Sequence, residues 1–222
     1  MVDAAGEATR DLARTKEEIL RVASEHFTRV GYYGARVDEI AAETSTTKRM
    51  IYYCFGSKDE LFRACLQDAY AAIRRFEASL HLADAPPRAA VERYVRETLE
   101  YHHSHPHLAQ LVRAENLLDA AHLTGDGADV LGHPVIEILD DVLARGHEEG
   151  VFTAEVTGVD LHLVVTALAN FRVTNAPTVR ALFGVSMADD ARLARDIDQY
   201  VEMILGWLVS SAPPGPADDG GA

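Results

Sequence analysis

The chain has 222 residues, of which 48% are hydrophobic and 25% charged, with a formal net charge of −14. This composition excludes a disordered chain, and the length allows one or two domains around a sizeable core. The net charge alone argues against a nucleic-acid partner, but its distribution does not: residues 1–62 carry 9 basic and 11 acidic side chains, the remainder 12 and 24. The smaller part is therefore near neutral and can carry a basic face. The N-terminal MVDAAGEATRD has no apolar signal-peptide segment. The most apolar stretch, near Val159 to Ala176, is interrupted by Asp160, His162, Asn170 and Arg172 and is too polar to span a membrane. Cys54 and Cys65 lie in helical patterns and do not make a disulfide framework, so the expected location is cytoplasmic, with no membrane partner.

Residues 1 to about 10 read as a polar, mobile arm, and 211–222 (SAPPGPADDGGA) as a disordered tail. Between them nearly every segment has helical spacing. The first helix is expected over 16–30, opened by a Thr15/Glu18 capping box and closed by Gly31. A short second helix carries Val37, Ile40 and Ala41 on one face, and Thr44 to Thr47 form a turn. A third helix spans 48–53 with Ile51 facing inward, and Gly56 can stop it. Ser57 to Glu60 is a second capping box, opening a long helix with the stripe Phe62, Leu66, Ala69, Ile73, Phe76 and Leu80. Further helices are expected at 88–104, 107–120, 134–149, 159–175 and 189–209. Breaks fall at Pro86-Pro87, His105-Pro106, Gly125 to Gly127, Gly150 and 176–188. The prediction is an all-α chain of about nine helices: a three-helix helix-turn-helix head, then a larger helical bundle. The division places the head in 1–62, the bundle in 63–210 and the tail in 211–222.

The second and third helices fit a helix-turn-helix, whose second member enters the major groove of DNA. The third helix exposes Thr47, Lys48, Arg49, Met50, Tyr52 and Tyr53, and Lys58 stands at the start of the next. Cations and tyrosine hydroxyls can reach phosphates or guanine edges, an apolar group can meet a thymine methyl, and a free helix N-terminus can hold phosphate. Taken alone, the same short helix also reads as an ordinary solvated element.

The stretch from Glu18 to Leu66 adds a specific pattern. It combines Ala23, Phe27, Gly31 and Tyr32 with Val37, Ile40 and Ala41, then Lys48, Ile51, Tyr52, Tyr53 and Phe55, then Ser57-Lys58-Asp59-Glu60-Leu61. It resembles the N-terminal domain of TetR-family transcriptional repressors. The resemblance implies a homodimer whose third helices enter successive major grooves of a near-palindromic operator in double-stranded DNA. It implies phosphate contacts by Lys48, Tyr52 and Lys58, and base or mixed contacts by Thr47, Arg49, Met50 and Tyr53. Arg36 replaces the Thr or Ser often found at its position and is a further candidate for phosphate; Arg10, Arg14 and Lys16 could reach the backbone from the arm. Two departures stand out. Ser45 occupies a turn position that often has Gly, where a positive φ would strain it. Cys54 replaces a larger residue, as packing or as a redox group.

The remaining chain shows no phosphate loop or nucleophile elbow, so no enzyme and no cofactor are expected. His102, His103, His105 and His107 lie close in sequence, but Pro106 interrupts the spacing a metal site needs, so they read as a partly solvated helix-loop-helix corner and no metal is expected. Glu115 and Asn116 sit among apolar residues, as ligand partners or as members of an internal hydrogen-bond network. Tyr94, Tyr101, His122, Asn170, Phe171 and Asn175 are further candidates to line a site for a small-molecule effector of unknown identity. The run Gly146-x-x-x-Gly150-Val151-Phe152, with Asp160, His162, Asn170 and Asn175, is similar to one TetR-family sensor group. Helices 159–175 and 189–209 carry more apolar side chains than one face uses, matching the dimer interface the family implies. The expected function is a ligand-released repressor. An activator of the same family, a ligand or metal sensor without DNA activity, and an α-helical enzyme using Glu115 are the alternatives.

Overall fold

The computed structural model describes residues 4–123 and 134–210. The expected break at Gly125 to Gly127 and the tail 211–222 lie outside them. Among the described residues there are ten α-helices and no strand: α1 (Ala4–Gly34), α2 (Val37–Ala42), α3 (Lys48–Phe55), α4 (Lys58–Ser79), α5 (Pro87–Ser104), α6 (Pro106–Asn116), α7 (Pro134–Glu148), α8 (Gly158–Thr174), α9 (Ala176–Phe183) and α10 (Asp190–Leu208). None is long and apolar enough to cross a membrane.

Three differences from the sequence expectation have local causes. The first helix begins at Ala4, so the segment read as a mobile arm is helical from there and Thr15 lies in its interior. Thr15 caps nothing: its Oγ1 donates to the carbonyl of Asp11 at 2.8 Å. Gly31 does break the helix as expected, with φ 72°. Finally, α9 occupies most of 176–188, where a break is expected. Pro177 sits in its first turn, where a missing N–H costs no hydrogen bond, and Gly184 closes it at φ 66°.

The helices pack into two compact units. The first gathers the described residues up to Ile73 with those from His105 to 123. Its core holds Ile19, Val22 and Phe27 of α1, Val37 and Ile40 of α2, Ile51 of α3, Leu61, Phe62 and Leu66 of α4, and Leu108 and Leu111 of α6. The short α2 and α3 have few internal hydrogen bonds, so burial of Val37, Ile40 and Ile51 holds them, at about 1.5–3 kcal/mol per side chain. The second unit holds the described residues 74–104 and 134–210. There α5 packs on α7, α8 and α10 around Tyr94, Leu99, Leu139, Val142, Phe152, Leu161, Val165, Ile197, Ile204 and Leu208. Packing thus groups α6 with α1, and α4 contributes residues to both units.

Candidate nucleic-acid interface

The turn between α2 and α3 is organised from a distance. Glu18, in the middle of α1, accepts hydrogen bonds from the backbone N of Ser45 (2.8 Å) and from its hydroxyl (2.5 Å). These bonds hold the Glu18 carboxyl below its ordinary pKa. Ser45 does not have a positive φ, so it is not strained; it serves the turn as a double donor. Thr47 is the N-cap of α3, its side chain accepting from the N–H of Met50 at 3.3 Å. Gly56 closes α3 at φ 79°, and the hydroxyl of Ser57 then accepts from the N–H of Glu60 at 3.1 Å, opening α4.

With Ile51 as the buried anchor of α3, the other side of the helix is free to face outward. Thr47, Lys48, Arg49, Met50, Tyr52 and Tyr53 are all exposed, Tyr53 at 76%. Lys48 is not idle: its Nζ pairs with Asp38 of α2 at 2.7 Å, which raises its pKa. Arg36 is exposed at the N-cap of α2. Lys58 lies with its Nζ 4.5 Å from the centroid of the Tyr32 ring, a cation–π contact. The structure therefore brings the candidate DNA contacts of α3 onto one exposed surface of the first unit. Sequence reasoning missed Tyr33, 83% exposed beside Tyr32 at the end of α1. It also missed Glu18 and Asp38, which act only through partners in other elements.

The eight candidate ligand residues divide between the two units. Glu115 is fully buried at the end of α6 with its carboxylate already engaged: it accepts from the backbone N of His122 at 2.6 Å and faces His122 Nδ1 at 2.9 Å. The chain reaches this contact through two consecutive left-handed residues, Asp119 (φ 52°) and Ala120 (φ 56°), a conformation costing roughly 1–2 kcal/mol per non-glycine residue. Asn116, next to Glu115, is exposed.

In the second unit Tyr94 is buried, with its hydroxyl 2.7 Å from His162 Nδ1, and Tyr101 stacks on Phe76 at 4.0 Å. Phe171 is half exposed, and Asn175 ends α8, donating to the Thr174 hydroxyl at 3.1 Å. The interior of this unit also holds two polar atoms, Asn170 Oδ1 and Arg74 Nη1, with no hydrogen-bond partner among the described residues. Such atoms are costly unless a partner arrives.

Burial raises the carboxyl of Glu77 to about 7 from its ordinary 4.5, with the nearby Arg74 charge opposing the shift. A raised folded-state value stabilises the fold below the unfolded value and loses that contribution as pH rises through the folded one. Glu77→Gln is accordingly expected to melt above the wild type at pH values above about 7, the gap closing below about 4.5. Melting curves over this range check it, and a gap independent of pH would count against it.

Of the histidine run, His103 pairs with Asp190 at 3.2 Å, and the rings of His105 and His107 lie 6.1 Å apart. Among the described residues no group of three or more His, Cys, Asp or Glu side chains is placed to hold a metal ion.

An all-helical chain with a capped helix-turn-helix and a separate helical unit defines a class of DNA-binding regulators. Residues 19–65 match the family "Bacterial regulatory proteins, tetR family", and residues 87–204 match "Tetracyclin repressor-like, C-terminal domain". The chain is 31% identical to the transcriptional repressor SCO4008 of Streptomyces coelicolor, over 89% of this chain and 98% of that one. It is 29% identical to the transcriptional repressor NicS of Pseudomonas putida, over 79% of this chain and 84% of the relative. A solved tetR-family regulatory protein from Rhodococcus shares the fold, with a TM-score of 0.70 at 17% identity over 89% of this chain and 98% of that one. The chain belongs to the TetR family of transcriptional regulators.

Proposed function

We propose that this regulator is a cytoplasmic repressor that binds a near-palindromic operator as a homodimer and is released by a small molecule. The observation that carries the reading is α3, which commits Ile51 to the core and presents Lys48, Arg49, Met50, Tyr52 and Tyr53 outward. In this reading residues 1–62 form the DNA-binding domain and 63–210 the ligand-binding and dimerising one. Arg36, Lys48, Tyr52 and Lys58 meet phosphates, while Thr47, Arg49, Met50 and Tyr53 meet base edges or both. The two relatives are both named repressors, which supports the sign of the regulation.

Dimerisation is supported by α8, which is apolar on both sides. Leu161, Val165 and Ala169 enter the core while Val159, Leu163 and Phe171 stay exposed, as do Leu182 and Phe183 of α9 and Met203 of α10. Exposed apolar patches mark interaction surfaces, and a two-fold dimer buries the same patch of both protomers against each other. Effector binding is supported by the buried Asn170 Oδ1, which has no partner among the described residues and which a polar ligand group could satisfy. For release, the effector must bind the DNA-incompetent state more tightly.

The test is selection of duplexes from a random pool, followed by titration of the selected duplex at several salt concentrations. Half-sites roughly 34–36 Å apart and a steep loss of affinity with salt are expected. Lys48 must exchange Asp38 for a phosphate, so Lys48→Ala is expected to weaken all sequences alike and to reduce the salt slope by up to about 1. Binding that ignores salt overturns the assignment of α3.

A further inference from the structure

The contact that engages Glu115 continues beyond it. His122 lies on the irregular segment after α6, and Glu115 holds it twice, through its backbone N and through Nδ1. Two points of attachment on one carboxylate set the orientation of the ring, and with it the direction in which Nε2 faces. That direction is the first turn of α4: Nε2 lies 3.7 Å from Asp59 Oδ1. The ring is held from the sides as well, edge-on to Phe62 at 5.0 Å and tilted against Tyr32 at 5.3 Å. Asp59 in turn accepts a hydrogen bond from the Tyr32 hydroxyl, and Lys58 lies over the Tyr32 ring. The Tyr32 hydroxyl is the main cause, ahead of His122 and Lys58, of a pKa at Asp59 below the ordinary carboxyl value. A chain of side chains thus runs from the buried end of α6, through one imidazole, to the residue beside Lys58.

We infer that His122 is a positioning residue for DNA binding, fixing Lys58 and the start of α4 through Asp59 and Tyr32. The inference rests on the reading of the first unit as the DNA-binding one. The physical argument is one of geometry. Lys58 and the first N–H groups of α4 directly follow the α3–Gly56 turn, so their placement relative to α3 decides whether both reach the same DNA backbone. The Lys58 ammonium lies over the Tyr32 ring, and the Tyr32 hydroxyl is held by Asp59. His122 and Tyr32 are the two groups that hold the Asp59 carboxylate from outside its own helix. The consecutive left-handed residues Asp119 and Ala120 fit the same role. Unfavourable backbone persists where the surroundings dictate it, and here it delivers the His122 N–H and Nδ1 to a single carboxylate.

Asparagine and glutamine separate positioning from simple packing. His122→Asn keeps an amide donor near the place of Nδ1, so the bond to buried Glu115 survives while the reach to Asp59 is lost. His122→Gln does the reverse, placing its amide near Nε2. If His122 only packs, DNA affinity follows melting temperature and the Asn variant is the better of the two in both. If it positions Lys58, the ranks cross. His122→Asn is expected to melt close to the wild type but bind the selected duplex about tenfold more weakly, the loss of one charge-assisted contact. His122→Gln is expected to melt lower, yet bind within about threefold of the wild type once folded. Asp59→Asn keeps an amide oxygen to accept from the Tyr32 hydroxyl but removes the charge that faces His122, so adding it to His122→Asn is expected to weaken binding by less than about twofold further.

The inference is overturned if the folded Asn variant binds DNA like the wild type, if affinity follows melting temperature, or if the Asp59 and His122 losses multiply. Failure of the wild type to bind any selected duplex would overturn the DNA-binding reading and this inference with it. A wild type that binds beside an unaffected Asn variant overturns this inference alone.

Discussion

Asp196→Ala is expected to destabilise the protein by about 3–5 kcal/mol, measured by urea unfolding. Arg172 of α8 and Asp196 of α10 are each only 4% exposed, and the Arg172 Nη1 donates to Asp196 Oδ2. Arg172 also donates through Nη2 to the carbonyl of Met187 at 3.0 Å, and Asp196 accepts from Arg192 Nε at 3.0 Å. Removing the carboxylate leaves an enclosed guanidinium with the Met187 carbonyl as its remaining partner among the described residues. The cost comes chiefly from that stranded charge, because water cannot re-solvate it without opening the packing of α8 on α10. Two comparisons separate the causes. Asp196→Asn keeps the shape and one acceptor, so it is expected to lose less. Replacing both residues by apolar side chains of similar volume is expected to come within about 1–2 kcal/mol of the wild type, since a buried pair barely repays its own desolvation. A loss below about 1 kcal/mol for Asp196→Ala would show that the pair is solvated in solution.

Gly146→Ala is the second large effect, about 2–3 kcal/mol of destabilisation net of the gain in helix propensity. A Cβ on Gly146 would lie 2.0 Å from Phe152 Cδ2 and 2.4 Å from Cε2. The ring cannot retreat cheaply. Phe152 is 2% exposed, and the N–H groups of Val151 and Phe152 both donate to the carbonyl of Gly146 itself, at 2.8 and 3.0 Å. Gly150, at φ 68°, makes the turn that returns the chain onto its own helix. Shrinking the ring should recover part of the loss, so Phe152→Leu is expected to be less harmful in the Gly146→Ala background than alone. Gly146→Ala unfolding at the wild-type denaturant concentration would refute the clash.

This turn also shows what the sequence disclosed. The Gly146-x-x-x-Gly150-Val151-Phe152 run was legible as a pattern, and its cause is a glycine under a ring and a glycine at positive φ. The head was legible for a similar reason. Val37, Ile40 and Ile51 are local signals, and all are buried where their spacing put them. What was not legible depends on partners far along the chain. Thr15 and Glu18 have the spacing of a capping box, but Ser45, 27 residues on, gives the Glu18 carboxylate two donors that a helix end cannot match. The helix at 176–183 was hidden because proline at a first turn and proline as a breaker look alike in one sequence. For Glu115 the sequence left open a ligand or an internal network. The internal partner, His122, lies on a segment without periodicity, which no spacing rule reaches.

The two cysteines now differ in a useful way. Cys65 is 1% exposed, donates weakly to the carbonyl of Leu20, and has its thiol pushed up to about 12 by burial. Cys54 is only partly buried, in the last turn of α3. A thiol that is both covered and protonated does not react, so a maleimide dye at neutral pH should attach to Cys54 and leave Cys65 untouched. The chain therefore carries a natural single-site handle on α3. Fluorescence from that position can follow the helix during titrations with no residue changed.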